Sequence, residues 1–188
     1  AKAAILVDGG SGTVLYDKNI HEELPMASIT KVMSALLVLE AIDRGQLRMD
    51  QEVTASQTSM QGMVEDGSTA DIKVGETLTV EQLLYCMLVI SANETCNILG
   101  ETVAGSVDAF VERMNQRAQE LGCKNTHFAN TTGLTQSGHY SCAYDLYLIT
   151  REAMTFEDFM TIVNTKSYEI PPTNKTEEER VLHSTNAL

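Results

Sequence analysis

The stretch from Ser28 to Asp43 constrains this chain more than any other. Val32, Met33, Ala35, Leu36, Leu37, Val38, Leu39, Ala41 and Ile42 would place apolar side chains around almost the whole circumference of a helix, which Asp43-Arg44-Gly45 ends. A helix with no polar face needs protein on every side, so this one is expected to run through the middle of a core. Its first turn, with Ser28, Thr30 and Lys31, is then where that core meets solvent.

The rest of the chain must supply the wrapping. Thr79-Val80-Glu81-Gln82 has the pattern of a capping box, and the apolar run Leu83 to Ile90 predicts a second buried helix. That run is far shorter than the roughly 20 residues that cross a bilayer. Ser91-Ala92-Asn93 interrupts it, and a short helix resumes from about Glu94 to Thr102. Ser106 can cap a helix to Leu121, closed by Gly122; Ser141 can cap another to about Met154; Phe156 to Asn164 reads as one more.

Strands are scarcer. Ala3 to Asp8 and Thr13 to Tyr16 flank Gly9-Gly10-Ser11-Gly12 and read as a hairpin. Residues 46–78 lack a strong period and suggest a surface excursion with short strands such as Asp71-Ile72-Lys73-Val74, while Lys166 to Ile170 looks extended. Two strands do not make an independently stable sheet, so the N-terminal hairpin calls for partners this chain barely supplies. A length of 188 residues fits one domain with its own core. The pattern is α+β, a hairpin followed by a mostly helical block.

Thirteen Lys and Arg against 26 Asp and Glu leave a formal charge of −13, which repels phosphate backbones and excludes nucleic acid as a partner held by counterion release. Cys86, Cys96, Cys123 and Cys142 form no Cys-x-x-Cys pattern, leaving buried thiols or a disulfide as readings. No ligand-like histidine spacing calls for a metal, and no cofactor is expected.

Two short motifs could carry chemistry. Ser28-Ile29-Thr30-Lys31 puts a hydroxyl and an amine on one helical face, with Cβ atoms about 5–6 Å apart. A serine is a poor nucleophile until a base takes its proton, and a lysine can do so only when burial or a cationic neighbour makes it neutral. Ser91-Ala92-Asn93 adds a second hydroxyl to relay a proton and an amide to hold a peptide group. Together they make an acyl-transfer set that lacks a group for the substrate's anionic end.

With these motifs in view, the sequence resembles the low-molecular-mass penicillin-binding proteins that act as serine-type D-alanyl-D-alanine carboxypeptidases. Pro25-Met26-Ala27-Ser28-Ile29-Thr30-Lys31-Val32-Met33 is similar to that family's nucleophile motif, and Ser91-Ala92-Asn93-Glu94 to its second motif. Ala3 to Asn19 is similar to its opening hairpin. Asn130-Thr131-Thr132-Gly133-Leu134, Gly138-His139-Tyr140-Ser141 and Ala143-Tyr144-Asp145-Leu146 are similar to a third stretch.

The resemblance implies a DD-peptidase/β-lactamase-like fold, a helical block packed on an antiparallel sheet, acting outside the cytoplasm. It implies that Ser28 is acylated by the penultimate D-alanine of a peptidoglycan stem peptide, with Lys31 as general base. Ser91 would pass a proton to the leaving D-alanine, and Asn93 would bind the substrate amide. β-Lactam antibiotics would acylate the same serine. The oxyanion hole would combine the Ser28 N–H with one from a sheet strand. The family's Lys-Thr-Gly motif does not occur here; it would follow a stretch similar to Ser184-Thr185-Asn186-Ala187-Leu188. Residues 1–188 are therefore expected to be an N-terminal part of the catalytic domain, poorly active alone, with a C-terminal fragment of the same protein as a partner. Cys142 and Thr131-Thr132 depart from the family pattern and are expected to lie clear of the nucleophile, and His139 is expected to be structural because Lys31 fills the base role. The alternatives are a class A β-lactamase, against which Ala92 argues because Ser-Asp-Asn is expected there, and a non-catalytic penicillin-recognising cell-wall module.

Overall fold

The apolar run around Leu36 folds as α1 (Thr30–Asp43), and Met33, Ala35, Leu36 and Val38 have no exposed surface at all. Burying Met33, Leu36 and Val38 contributes about 1.5–3 kcal/mol each, which makes this helix the main apolar anchor of the fold. In the computed structural model, which describes residues 1–64 and 67–185, five further helices surround it. They are α2 (Val80–Val89), α3 (Asn93–Ala104), α4 (Val107–Glu120), α5 (Ala143–Ala153) and α6 (Glu157–Val163), all in contact with α1.

The capping box at Thr79 is present in both directions, Thr79 Oγ1 accepting from the Gln82 N–H and Gln82 Oε1 from the Thr79 N–H. Ser106 caps α4 as expected. The cap of α5 falls one residue later than expected. Ser141 is drawn into a bridge with Leu24 and its hydroxyl pairs with Thr126, so Cys142 Sγ takes the Asp145 N–H instead. The four cysteines are free thiols, and burial pushes those of Cys86 and Cys96 up to about 12.

The described strands form three separate antiparallel pairs. β1 (Ala4–Val7) pairs with β2 (Val14–Lys18) around the glycine-rich turn, with a bulge between Leu6 and Val7. Leu6, Leu15 and Tyr16 are more than half exposed, and every residue of β2 is exposed, so this ribbon is poorly covered. β3 (Glu52–Thr54) pairs with β4 (Thr77–Thr79), and β5 (Ser167–Ile170) with β6 (Arg180–His183). The expected strand at Asp71–Val74 does not form. The Glu94 carboxylate takes the Ala70 and Ile72 N–H groups, Thr69 Oγ1 that of Asp71 and the Glu76 carboxylate that of Lys73, which draws these donors away from a ladder. Glu76 is fully buried and also accepts from Arg180 and Thr173, which ties the β5–β6 ribbon to residues 70–77. Of the Ser184–Leu188 stretch, residues 186–188 lie outside the described residues.

Candidate active site

The chain approaches α1 through a single 3-10 turn, Ala27–Ile29, that carries Ser28. Ala27 adopts φ 46°, a left-handed conformation that costs a residue with a Cβ about 1–2 kcal/mol. Gly133 packs against this turn: a Cβ there would lie 1.9 Å from the Ala27 carbonyl oxygen, and its own φ is +90°. Only glycine fits.

Ser28 is exposed, while Lys31, one turn along, is 2% exposed. The Lys31 Nζ donates to Ser28 Oγ at 3.1 Å, to Asn93 Oδ1 at 2.9 Å and to the Thr132 carbonyl at 2.8 Å. As an ammonium it has all three N–H bonds matched. As a neutral amine it can keep the Asn93 and Thr132 bonds and turn its lone pair to the serine hydroxyl. Burial pushes the Lys31 amine below the ordinary lysine range, and the Glu94 carboxylate partly opposes this. Cys96, although close, is protonated at neutral pH because its own thiol is pushed up to about 12, so it adds no negative charge there.

The partners of Lys31 are themselves fixed. The segment Asn130–Gly133 is held to α1 by Ser34 Oγ, which donates to the Thr131 carbonyl at 2.7 Å, and to α3 by Thr131 Oγ1, which donates to Asn97 Oδ1 at 2.6 Å. Asn130 Oδ1 accepts the Gly133 N–H at 2.8 Å. On the other side, the Asn93 N–H donates to the Ser68 carbonyl at 2.9 Å, and Glu94 Oε1 accepts from Thr69 Oγ1 at 2.8 Å and the Ala70 N–H at 2.7 Å. Gly67 leaves room for the Asn93 amide: a Cβ there would stand 2.8 Å from Nδ2.

Ser91 occupies the break between α2 and α3, with φ 62°. Its Oγ is out of solvent and makes no hydrogen bond among the described residues. Unsatisfied buried hydroxyls cost about 1–3 kcal/mol and are uncommon in structural positions. Three of the four predicted site residues, Ser28, Lys31 and Asn93, are thus joined directly, and Ser91 lies two residues from Asn93 without a bond to them.

As expected, Thr131 and Thr132 make no bond to Ser28 among the described residues, their side chains bonding to Asn97 and Asn130, but their backbone reaches the base. The Thr132 carbonyl is the third acceptor of Lys31. A backbone carbonyl has no residue-type signature, and Gly133 was the one visible sign that this segment passes close to another.

A family model described as D-alanyl-D-alanine carboxypeptidase matches residues 1–187. The chain belongs to that family. Among curated members it is 39% identical over 188 residues to the D-alanyl-D-alanine carboxypeptidase DacF of Bacillus subtilis, covering 100% of this chain and 47% of that protein. It is 32% identical to the D-alanyl-D-alanine carboxypeptidase of Streptomyces sp. K15, over 97% of this chain and 65% of that one. Among solved structures, penicillin binding protein 6B from Escherichia coli matches all of this chain with TM-score 0.90 and 30% identity, over 58% of its own length. The Streptomyces K15 DD-transpeptidase matches with TM-score 0.89 and 30% identity, over 74% of its length. The chain spans about half the length of the curated family member DacF. The neighbours share its helix-rich α+β fold with short antiparallel sheets.

Proposed function

We propose that these residues form the serine and lysine side of a DD-peptidase that removes the terminal D-alanine from peptidoglycan stem peptides. The observation that carries this reading is the hydrogen bond between the exposed Ser28 Oγ and the buried Lys31 Nζ. In its neutral form Lys31 accepts the Ser28 proton as Oγ attacks the carbonyl carbon of the penultimate D-alanine. The tetrahedral adduct collapses with cleavage of the C–N bond, and the departing nitrogen takes up a proton through the unpartnered Ser91 hydroxyl. Asn93 accepts from Lys31 through Oδ1, which leaves the Nδ2 end of its amide for a substrate carbonyl. Water then attacks the acyl carbon and releases the shortened peptide from Ser28.

The same serine opens the strained amide of a β-lactam and holds it as an ester. Incubation of the protein with a labelled penicillin is expected to place one adduct on the peptide that ends in Lys31, and the same preparation is expected to release D-alanine from a stem-peptide analogue. Label on another peptide, or none, overturns the Ser28 assignment. Label without D-alanine release favours a recognition module.

Peptidoglycan stem peptides lie outside the cytoplasmic membrane, which makes the proposed place of action extracytoplasmic. The proposed partner for the ribbon β1–β2 is a C-terminal fragment of the same protein. Ile5, Val7, Ile29, Leu146 and Met154 line a groove of about 810 Å³ between the ribbon and α5, apolar enough to receive more chain. The protomer mass measured on the native protein is expected to exceed that of 188 residues or to include a second polypeptide. Full turnover at a mass of 20.6 kDa would sink this part of the reading.

A further inference from the structure

His139 is 6% exposed and joins two pieces of the site, Thr30, 109 residues away from it in sequence, and Ala129, 10 residues away. Its Nδ1 lies 3.0 Å from the Ala129 nitrogen, whose N–H points at it. That nitrogen must therefore carry the lone pair, which leaves Nε2 as the protonated one. Nε2 lies 2.8 Å from Thr30 Oγ1, so its N–H donates to Thr30. Thr30 precedes Lys31 at the start of α1, and Ala129 immediately precedes the segment whose Thr132 carbonyl accepts from Lys31. The ring thus spans the distance between the helix that carries the base and the strip of backbone that receives it.

This arrangement tolerates one protonation state. An imidazolium has an N–H on both nitrogens, so charging the ring would set two donors face to face at the Ala129 contact. The surroundings also disfavour the charge: burial lowers the His139 proton affinity, and the neighbouring His127 lowers it further. His127 is the titratable group facing it from the adjacent 127–140 bridge, and on α1 the nearest charged residue in sequence to Thr30 is Lys31. Phe128 meets the ring edge-on at 6.0 Å and brings no charge.

We infer that His139 is a positioning residue, a neutral Nε2–H brace between Thr30 and Ala129 that sets the distance over which Lys31 reaches both Ser28 and Thr132. It touches no reacting atom. The inference rests on the reading of Ser28 as the acylated nucleophile, and it adds that acylation is lost in acid through a second group besides Lys31.

The test follows penicillin acylation of the intact protein against pH in the wild type, His139→Gln and His139→Ala, with nitrogen-detected NMR of the His139 ring. Glutamine can donate to Thr30 and accept from Ala129 without titrating. His139→Gln is expected to keep the neutral-pH rate within about threefold but to lack the low-pH limb due to His139, while His139→Ala slows acylation about 10- to 100-fold, as small misplacements of reacting groups do. The ring is expected as the Nε2–H tautomer at neutral pH. Superimposable pH profiles for wild type and His139→Gln, or an Nδ1–H or doubly protonated ring at pH 7, overturn the inference. Failure of the wild type to be acylated at any pH would count against the Ser28 reading, and the NMR tautomer would then decide the brace by itself.

Discussion

Replacing Ser28 with alanine is expected to abolish covalent capture of a labelled penicillin and to lower D-alanine release by roughly 10⁴- to 10⁶-fold, the scale on which loss of a nucleophile acts in serine hydrolases. The fold should not notice. Ser28 is exposed and its side chain accepts one hydrogen bond among the described residues, from Lys31, so the change in unfolding free energy is expected to stay within about 1 kcal/mol. Loss of labelling with an unchanged melting temperature separates a chemical role from a structural one. Adduct retained on the same peptide in the alanine variant would remove the assignment.

The second large effect is expected at Lys31. Arginine in its place keeps a positive charge and several donors but cannot be deprotonated, so Lys31→Arg tests a base against a mere cation. Acylation is expected to fall about 10²- to 10⁴-fold, the usual contribution of a positioned general base. Near-wild-type acylation in Lys31→Arg would show that the lysine acts only by its charge. In the wild type the acylation rate should rise with pH through a value below the ordinary lysine range, because burial depresses Lys31 and only its neutral form accepts the proton. The linkage has the same sign. An unfolded chain with an ordinary lysine binds the proton more tightly, so this group's contribution to stability is full above the unfolded value and is lost as pH falls through the depressed one.

Much of this was legible in the sequence because the signals were local. The all-round apolar character of Val32 to Ile42 required burial, and that in turn set the first turn, with Ser28 and Lys31, at the edge of the core. The Thr79 box and the Ser106 cap were readable because each depends on residues a few positions apart. The misses share the opposite property. β6 was not anticipated because its pairing with β5 joins residues 10 to 16 apart in sequence, across the acidic run Glu177-Glu178-Glu179. Asp71–Val74 had strand-like residues, but Glu94 and Glu76, neither of them part of that stretch, claimed its backbone donors. The sequence marks His139 as structural only because Lys31 already fills the base role. Only its two ring contacts, one to each side of the site, reveal what that structure is for.

The three bonds of Lys31 reach a 3-10 turn, the first residue of α3 and a backbone carbonyl in an irregular segment. One amine is thus a rivet through three plates, and it grips only when all of them are aligned. Gentle warming that lets any plate slip is expected to stop acylation of Ser28 while the helices remain intact, so that loss of penicillin labelling precedes melting.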